Sequence, residues 1–122
     1  MSYILVFLGG GLGSIARFLV GRYFDSAPGA LPISTFLSNT LSSLILGVLM
    51  GYYVSKPQAN ENIRLLIATG FCGGFSTFST FSYETFMLLN TGNYKTGLLN
   101  IFANLLLCYA AIAIGFFAGR GI

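Results

Sequence analysis

Four separate stretches of the chain are apolar over the length that a helix needs to cross a bilayer. They cover about residues 3–23, 33–54, 63–89 and 96–118, and a spanning helix needs about 20 predominantly apolar residues. The intervening residues 25–32, 56–62 and 90–93 are rich in Pro, Gly, Asn and charged residues, which favour turns. The sequence therefore predicts an all-α integral membrane protein with four transmembrane helices in a single membrane domain, residues 1–122.

The scarcity of ionisable residues excludes several classes of function. Charged residues make up 7% of the chain, which contains no His and has Asp25, Glu61 and Glu84 as its three acids. Zinc centres, histidine bases and paired carboxylates need residues that are missing here, so we expect no enzyme. Cys72 and Cys108 lie in apolar runs and are expected to be buried thiols. The six cations are scattered, so we expect no binding to nucleic acid.

The cations are divided evenly between the two predicted membrane faces. The face with the N-terminus and the second loop carries three cations, and the face with the first and third loops also carries three: Lys56, Arg64 and Arg120 against Arg17, Arg22 and Lys95. An excess of Lys and Arg normally fixes the cytoplasmic face. The balance predicts insertion in both orientations and an antiparallel, dual-topology homodimer, with a single fixed orientation as the alternative.

Polar residues recur at helical spacing within two of the apolar segments. Such residues cannot face lipid unsatisfied, so each row faces either another helix or a water-filled path, and both interpretations stay open. The row in the second segment is Thr35, Asn39 and Ser42 or Ser43, and the row in the fourth is Asn100, Asn104 and Cys108.

The glycine-rich stretch GGGLGSIAR, residues 9–17, has two interpretations. A phosphate-binding loop should follow a strand and open a helix, whereas this stretch lies inside an apolar segment. Small residues that let two helices approach closely explain it better. Arg17 is the exception, since a guanidinium near the membrane needs carbonyls, an acid or access to the interface.

The stretch GFCGGFSTFSTFSYE, residues 70–84, interrupts the third segment. We expect the third helix to break at Gly73-Gly74, because glycine tolerates unusual backbone conformations, and the freed carbonyls are ligands for a small cation such as Na⁺. Phe75, Phe78 and Phe81 follow at intervals of three residues. They are either aromatic packing or, because a phenyl ring has a positive edge, the wall of a path for a small anion.

These residues resemble a known family, the Fluc (CrcB) fluoride channels. Residues 70–84 are similar to its third-helix signature, GFCGG-x-TTFSTF followed by Glu, with Ser76 replacing one Thr. Residues 9–18 resemble its glycine cluster that ends in Arg-aromatic. Residues 34–39, STFLSN, resemble the motif GTLxVN, with Ser34, Phe36 and Ser38 as departures.

The resemblance implies a dual-topology homodimer in the bacterial inner membrane, with two pores that export fluoride passively and relieve its toxicity. It also implies one structural Na⁺ between the two copies, held by backbone carbonyls of Gly73 and Ser76. The implied pore residues are Phe78, Phe81, Asn39, Thr35, Ser79 and Thr80, with Glu84 at the pore mouth and Arg17, Asn100 and Asn104 as further candidates. The fourth helix departs from the family, which places Tyr and Ser along its polar track.

Two other functions are weighed against a channel. A small dual-topology multidrug exporter needs an acid embedded in its first helix, and residues 3–23 contain none. A membrane assembly protein that transports nothing is the second alternative, and absence of ion flux from the purified protein would support it.

Overall fold

The computed structural model describes all 122 residues and contains only helices and their connections. Helix α1 spans Ser2–Tyr23 and α2 spans Ile33–Ser55. The third crossing is a succession of α3 (Glu61–Arg64), a π-helix (Leu65–Cys72), α4 (Gly73–Phe75) and α5 (Phe78–Asn90), and the fourth is α6 (Tyr94–Arg120). Four helical units are long and apolar enough to cross a membrane, as predicted, and each begins and ends within two residues of its predicted bounds.

The third crossing breaks at Ser76 and Thr77, so the prediction of a break at Gly73-Gly74 is wrong. Gly73 keeps helical angles (φ −64°, ψ −36°), whereas Ser76 (φ −83°, ψ 156°) and Thr77 (φ −152°, ψ 117°) are extended. The break falls where other groups replace the lost helical hydrogen bonds. Thr77 caps α5 itself, because its Oγ1 accepts a hydrogen bond of 3.1 Å from the Thr80 N–H.

Glycine pairs four residues apart bring the helices into backbone contact along two seams. In the first seam, α1 crosses the π-helix and α4, and in the second, α2 packs along α6. A Cβ on any of these glycines would overlap backbone atoms of the facing helix, which is the packing that small-xxx-small pairs allow. The pairs are Gly9 with Gly13, Gly70 with Gly74, Gly47 with Gly51, and Gly115 with Gly119. Residues 9–17 are therefore helical packing surface, as preferred above, and form no phosphate loop.

Hydrogen bonds and turns define the two ends of the bundle. At one end the Ser55 hydroxyl donates to the carbonyl of Arg120 at 3.0 Å, which joins the end of α2 to that of α6. At the other end Gly29 turns with φ 82° against the side chain of Asn93. The first and third loops therefore meet at one end, and the second loop and C-terminus at the other, as the charge count assumed.

The interior of the bundle is more polar than its exterior. Large apolar side chains such as Phe7, Leu106 and Phe117 are exposed on the outer surface, whereas six polar residues are buried: Thr35, Ser38, Ser42, Thr85, Asn100 and Asn104. This inversion is expected when hydrocarbon is the outer solvent, because polar groups must then find partners inside. The buried polar residues are therefore where a site is to be sought.

Candidate functional site

The side chain of Asn39 holds the broken backbone at Thr77. Its Oδ1 accepts from the Thr77 N–H at 2.8 Å, and its Nδ2 donates to the Thr77 carbonyl at 3.3 Å. The Asn39 amide thus pairs both the N–H and the carbonyl of Thr77, which is extended and makes neither bond within a helix. Because that contact uses one of the two Nδ2 hydrogens, the second is free for another acceptor.

The break also releases carbonyl groups on the preceding turn. Arg17 Nε donates to the Gly74 carbonyl at 3.1 Å, which gives the partially buried guanidinium the partner that the sequence required. In a continuous helix the N–H groups of Thr77 and Thr80 would reach the carbonyls of Gly73 and Ser76, but they bond to Asn39 Oδ1 and Thr77 Oγ1 instead. No side chain donates to those two carbonyls, which leaves them available as oxygen ligands.

The turn before the break is tied to α2 through one carbonyl. The Cys72 carbonyl accepts from the hydroxyls of Ser42 at 3.0 Å and Ser76 at 2.7 Å, and from the Ser76 N–H at 3.0 Å. The Ser76 hydroxyl is therefore committed to the backbone, while its carbonyl is free. Both cysteines are free thiols; Cys72 is buried as expected, whereas Cys108 is only half-buried, so the prediction of burial is wrong for it.

A groove of about 400 Å³ opens beside the break. The rings of Phe78 and Phe81 form one wall, with centroids 5.7 Å apart and planes inclined by 44°. Phe81 is 8% exposed, whereas Phe78 is 76% exposed. The remaining wall comes from α2 and α6, including Asn39, Ser43, Asn104, Cys108 and Tyr109, and no charged residue lines the groove.

A second cavity, of about 360 Å³, lies between α1, α2 and α5. Most of the residues that line it are polar, and they include Arg17, Ser38 and Thr80. Within it the buried Thr35 hydroxyl donates to Glu84 Oε1 at 2.8 Å. Glu84 also lines a third cavity, of about 500 Å³, between the first and third loops. The Glu84 side chain thus lies between the polar cavity and the first and third loops. Thr77 lines both the polar cavity and the aromatic groove.

A directed chain of hydrogen bonds connects α5 to α6. The Thr85 hydroxyl donates to the Phe81 carbonyl at 2.8 Å, so its oxygen accepts from Asn100 Nδ2 at 2.9 Å. Asn100 Oδ1 then faces Asn104, whose Nδ2 donates to it at 2.8 Å and to the Asn100 carbonyl at 2.9 Å. Both amide hydrogens of Asn104 are thereby used, and its buried Oδ1 has no partner. Asn104 as placed has no donor left for an anion.

The structure brings most of the predicted site residues to the two cavities. Asn39, Ser76, Phe78, Phe81 and Asn104 line the groove, and Arg17, Thr35, Thr80 and Glu84 line the polar cavity. Three candidates lie elsewhere. Ser79 is exposed beside Thr77, Gly73 is exposed, and Asn100 is buried between α5 and α6.

Sequence reasoning missed several residues of the site. Ser38, Thr77, Thr85 and Tyr109 line the cavities or belong to the buried network. A signal existed for Thr77, because Thr is a favoured N-cap and stands directly before Phe78, the first residue of α5. Thr85 gave no comparable signal, since its partner Asn100 lies on another helix.

Comparisons with known proteins identify the family to which the chain belongs. Residues 4–116 match the family described as "CrcB-like protein, Camphor Resistance (CrcB)". The chain is 45% identical to the "Fluoride-specific ion channel FluC" of Pyrococcus furiosus over 95% of its own length and 94% of the relative. Proteins of the same name from Pyrococcus abyssi (96% of this chain, 94% of the relative) and Escherichia coli K12 (93% and 89%) are each 40% identical. The match over residues 4–116 and this similarity over nearly the whole chain establish that the chain is a member of the CrcB family.

Proposed function

We propose that this chain is a fluoride channel that lets the ion leave the cell passively. The observation that carries the proposal is the uncharged groove in which two phenyl rings and the free amide hydrogen of Asn39 meet beside a broken helix. The names of the relatives, which are fluoride-specific ion channels similar over nearly the whole chain, support the same ion.

The groove offers an anion hydrogen bonds and ring edges in place of a fixed positive charge. The second hydrogen of Asn39 Nδ2 donates to the ion, and the positive edges of Phe78 and Phe81 complete its surroundings. A lysine or arginine in the groove would hold the ion strongly, whereas conduction requires that it also leave. Fluoride is small and a strong acceptor, so closely spaced donors favour it over chloride.

The polar cavity provides the approach to this groove. Thr35, Thr80 and Thr77 supply hydroxyl groups along it, with Ser79 at the exposed side of Thr77. Glu84 stands at the outer end, where the Thr35 hydroxyl fixes its orientation. Arg17 places positive charge at the cavity while its Nε holds the Gly74 carbonyl. We assign the entry of the ion to this cavity and its selection to the groove.

The pore is completed by a second, antiparallel copy of the chain. Phe78 and Ser79 are exposed beside the break, and no atom lies within 4 Å of a Cβ built on Gly73, so this face of the third crossing is open in one protomer. The Ser79 hydroxyl and the free carbonyls beside the ring cannot face hydrocarbon unsatisfied, so this face fits a protein partner better than lipid. The balanced cations give neither orientation an advantage, which suits a dual-topology homodimer with two pores.

The free carbonyls of Gly73 and Ser76 fit one Na⁺ shared between the two copies. They are hard oxygen atoms without hydrogen-bond donors, and the two-fold axis of an antiparallel dimer would bring four of them together. When bound, the ion would supply positive charge that compensates these carbonyl oxygens. The residues of the chain shape the site, since Asn39 and Thr77 divert the N–H groups that would otherwise occupy these carbonyls.

The two other functions are less well supported. An exporter that couples to protons needs an embedded acid in its first helix, and α1 contains no Asp or Glu. A purely structural membrane protein does not account for an uncharged aromatic groove that shares Thr77 with an adjacent polar cavity.

Ion efflux from liposomes tests the proposed function. Purified protein is reconstituted into vesicles loaded with potassium fluoride or potassium chloride, valinomycin is added, and each anion is followed with its selective electrode. We expect rapid fluoride efflux and chloride efflux no faster than from protein-free vesicles. Equal rates for both anions, or no efflux from a well-folded dimer, would refute the proposal.

Orientation and the cation need separate measurements. A C-terminal tag should be accessible from both faces of the membrane in intact cells, and a tag accessible from one face only contradicts the antiparallel dimer. Replacing Na⁺ by N-methylglucamine during purification should lower the thermal stability of the dimer, and addition of Na⁺ should restore it. An unchanged melting temperature would contradict the sodium site.

A further inference from the structure

The aromatic groove contains a thiol as well as the two phenyl rings. Cys108 lines it from α6, and its side chain is only half-buried. The Thr40 hydroxyl of α2 lies 3.9 Å from Cys108 Sγ, within hydrogen-bonding distance for sulfur, so it can donate to the thiolate, which is the nucleophilic form of cysteine. Cys72, by contrast, is 3% exposed and lines neither the groove nor the polar cavity. A reagent that enters the groove therefore meets Cys108 and not Cys72.

A buried acceptor without a partner lies one helical turn away from this thiol. Asn104 lines the same groove, is 4% exposed, and has a side-chain Oδ1 to which nothing donates. Because Asn104 and Cys108 are four residues apart on α6, their Cβ atoms lie about 5–6 Å apart on one face, and the Cys108 side chain leans toward the N-terminal turn that contains Asn104. Fluoride only accepts hydrogen bonds, so it cannot satisfy Oδ1. A ligand that does so must bring a donor.

We propose that Cys108 is a modification site, at which small disulfides that carry an ammonium group form a mixed disulfide and close the ion path. The Cys108 thiolate attacks one sulfur of the reagent, so that a new bond joins the two sulfur atoms while the reagent's own S–S bond breaks. Cys108 Sγ is oxidised and the departing sulfur is reduced. The departing half leaves as a thiolate, which takes up a proton from water.

Cystamine fits the spacing between the thiol and the free acceptor. Its half adds a sulfur, two carbons and an ammonium to Cys108, which is long enough to span one helical turn of about 5.4 Å and to donate to Asn104 Oδ1. No charged residue lines the groove, so the adduct adds a fixed positive charge as well as bulk. Such a charge holds an anion that must leave for conduction to continue. The effect on efflux rests on the proposed function, whereas formation of the adduct does not.

Mass spectrometry of the purified, folded protein after treatment with cystamine tests the site. We expect one aminoethylthio group per chain, found by peptide mapping on Cys108 and not on Cys72, and removed by dithiothreitol. The reaction is carried out at mildly alkaline pH, where the attacking thiolate is populated. A folded protein that takes up no adduct, or takes it up on Cys72, would overturn the proposal.

Fluoride efflux from liposomes measures the effect of the adduct on the ion path. The treated protein should lose most of its efflux and recover it after dithiothreitol. Cys108→Ser is the matched control, because it removes the thiol and keeps a small polar side chain, and treatment should leave its own untreated rate unchanged. Normal efflux from fully modified protein, or equal inhibition of Cys108→Ser, would contradict closure of the path. If the untreated protein conducts no fluoride, the proposed function fails, and the modification site is still decided by mass spectrometry.

The exchange equilibrium tests the role of Asn104. Asn104→Leu should lower the equilibrium constant for exchange with cystamine about tenfold, the worth of one hydrogen bond from a charged donor. Exchange with diethyl disulfide, which has no ammonium, should change by less than about twofold, because no hydrogen bond to Oδ1 is lost. Equal constants for cystamine in the native chain and Asn104→Leu, or equal losses for the two disulfides, would show that Oδ1 does not receive the ammonium and would overturn the proposal.

Discussion

Asn39 and Thr77 lie on different transmembrane crossings, yet one side-chain amide bonds both the N–H and the carbonyl of the other residue's backbone, at 2.8 and 3.3 Å. The break in the third crossing therefore depends on the second helix. The same amide faces the aromatic groove, which couples the structure of the break to the surroundings of the ion.

Two substitutions at Asn39 should separate these roles. Asn39→Leu leaves two backbone groups of Thr77 unsatisfied and should lower the free energy of unfolding by about 1–3 kcal/mol for each buried group. Asn39→Asp keeps an acceptor for the Thr77 N–H, so it should destabilise less, yet its negative charge should stop fluoride efflux. Denaturation and liposome efflux measure the two effects, and an Asn39→Asp protein that conducts normally would contradict the assigned role.

Replacing either phenylalanine of the groove by Leu should abolish fluoride efflux, but the two substitutions should cost different amounts of stability. Phe81→Leu alters a buried ring and should cost about 1 kcal/mol, whereas Phe78→Leu alters an exposed ring and should cost less in the protomer. Both should abolish fluoride efflux, because Leu lacks a positive ring edge, and another aromatic should restore part of it. Phe75→Leu is the control, since Phe75 is buried against Phe71, outside the groove, and should retain efflux. Normal conduction by folded Phe78→Leu and Phe81→Leu dimers would show that the rings only pack.

Adjacent glycines in the third crossing should respond differently to substitution. A Cβ on Gly74 would overlap the carbonyl of Gly10, whereas one on Gly73 meets nothing within 4 Å. Gly74→Ala should therefore destabilise the fold by about 1–3 kcal/mol or more, and Gly73→Ala should be tolerated within one protomer.

Gly73→Val then becomes a test for the partner copy. If a second chain and its shared cation lie at Gly73, this variant should fold but elute as a monomer in size-exclusion chromatography. Gly11→Val is the matched control, because Gly11 is also helical with open space around its Cβ. Identical dimer fractions for both variants would place the interface elsewhere.

Substitutions on α6 should distinguish packing from ion contact. Asn100→Leu removes the donor to the Thr85 hydroxyl and the Oδ1 acceptor of Asn104, while the bond from Asn104 to the backbone carbonyl of residue 100 stays. It should therefore lower the free energy of unfolding by about 1–3 kcal/mol. Asn104→Leu also removes an unpartnered buried oxygen and should therefore destabilise less, with fluoride efflux retained. Loss of efflux in a stable Asn104→Leu dimer would mean that this amide turns toward the ion.

The sequence predicted most reliably what depends on the bilayer and least reliably what depends on pairs of distant residues. The four crossings follow from apolar length alone, and the packing role of residues 9–17 follows from their small side chains. The conformational freedom of glycine predicts a break at Gly73-Gly74, and this prediction is wrong. Gly74 is required for contact with α1, and the break falls instead at Ser76 and Thr77, where Asn39 supplies hydrogen bonds.

For the polar residues of the fourth crossing, the sequence likewise predicted burial but not the hydrogen-bond partners. Helical spacing predicted that Asn100 and Asn104 face the interior, and both are buried. Which hydrogens they use follows from Thr85, whose hydroxyl is directed by its own helix at the Phe81 carbonyl. The Thr85 oxygen then accepts from Asn100, and the Asn100 side-chain oxygen accepts from Asn104, so Asn104 is left with a free acceptor and no free donor. Helical spacing alone does not predict this.

The π-helix from Leu65 to Cys72 has a consequence for how this protein tolerates insertions and deletions. Its hydrogen bonds span five residues, one more than those of an α-helix. Loss of a single residue there is therefore absorbed by conversion to α-helix, so Thr77 and Phe78 keep their rotation, whereas loss of one residue from α4 would rotate the break by about 100° and turn Thr77 away from Asn39. In evolution the π-helix should therefore tolerate a one-residue deletion that its α-helical neighbours do not, and the loops at either end of the bundle are free to lengthen.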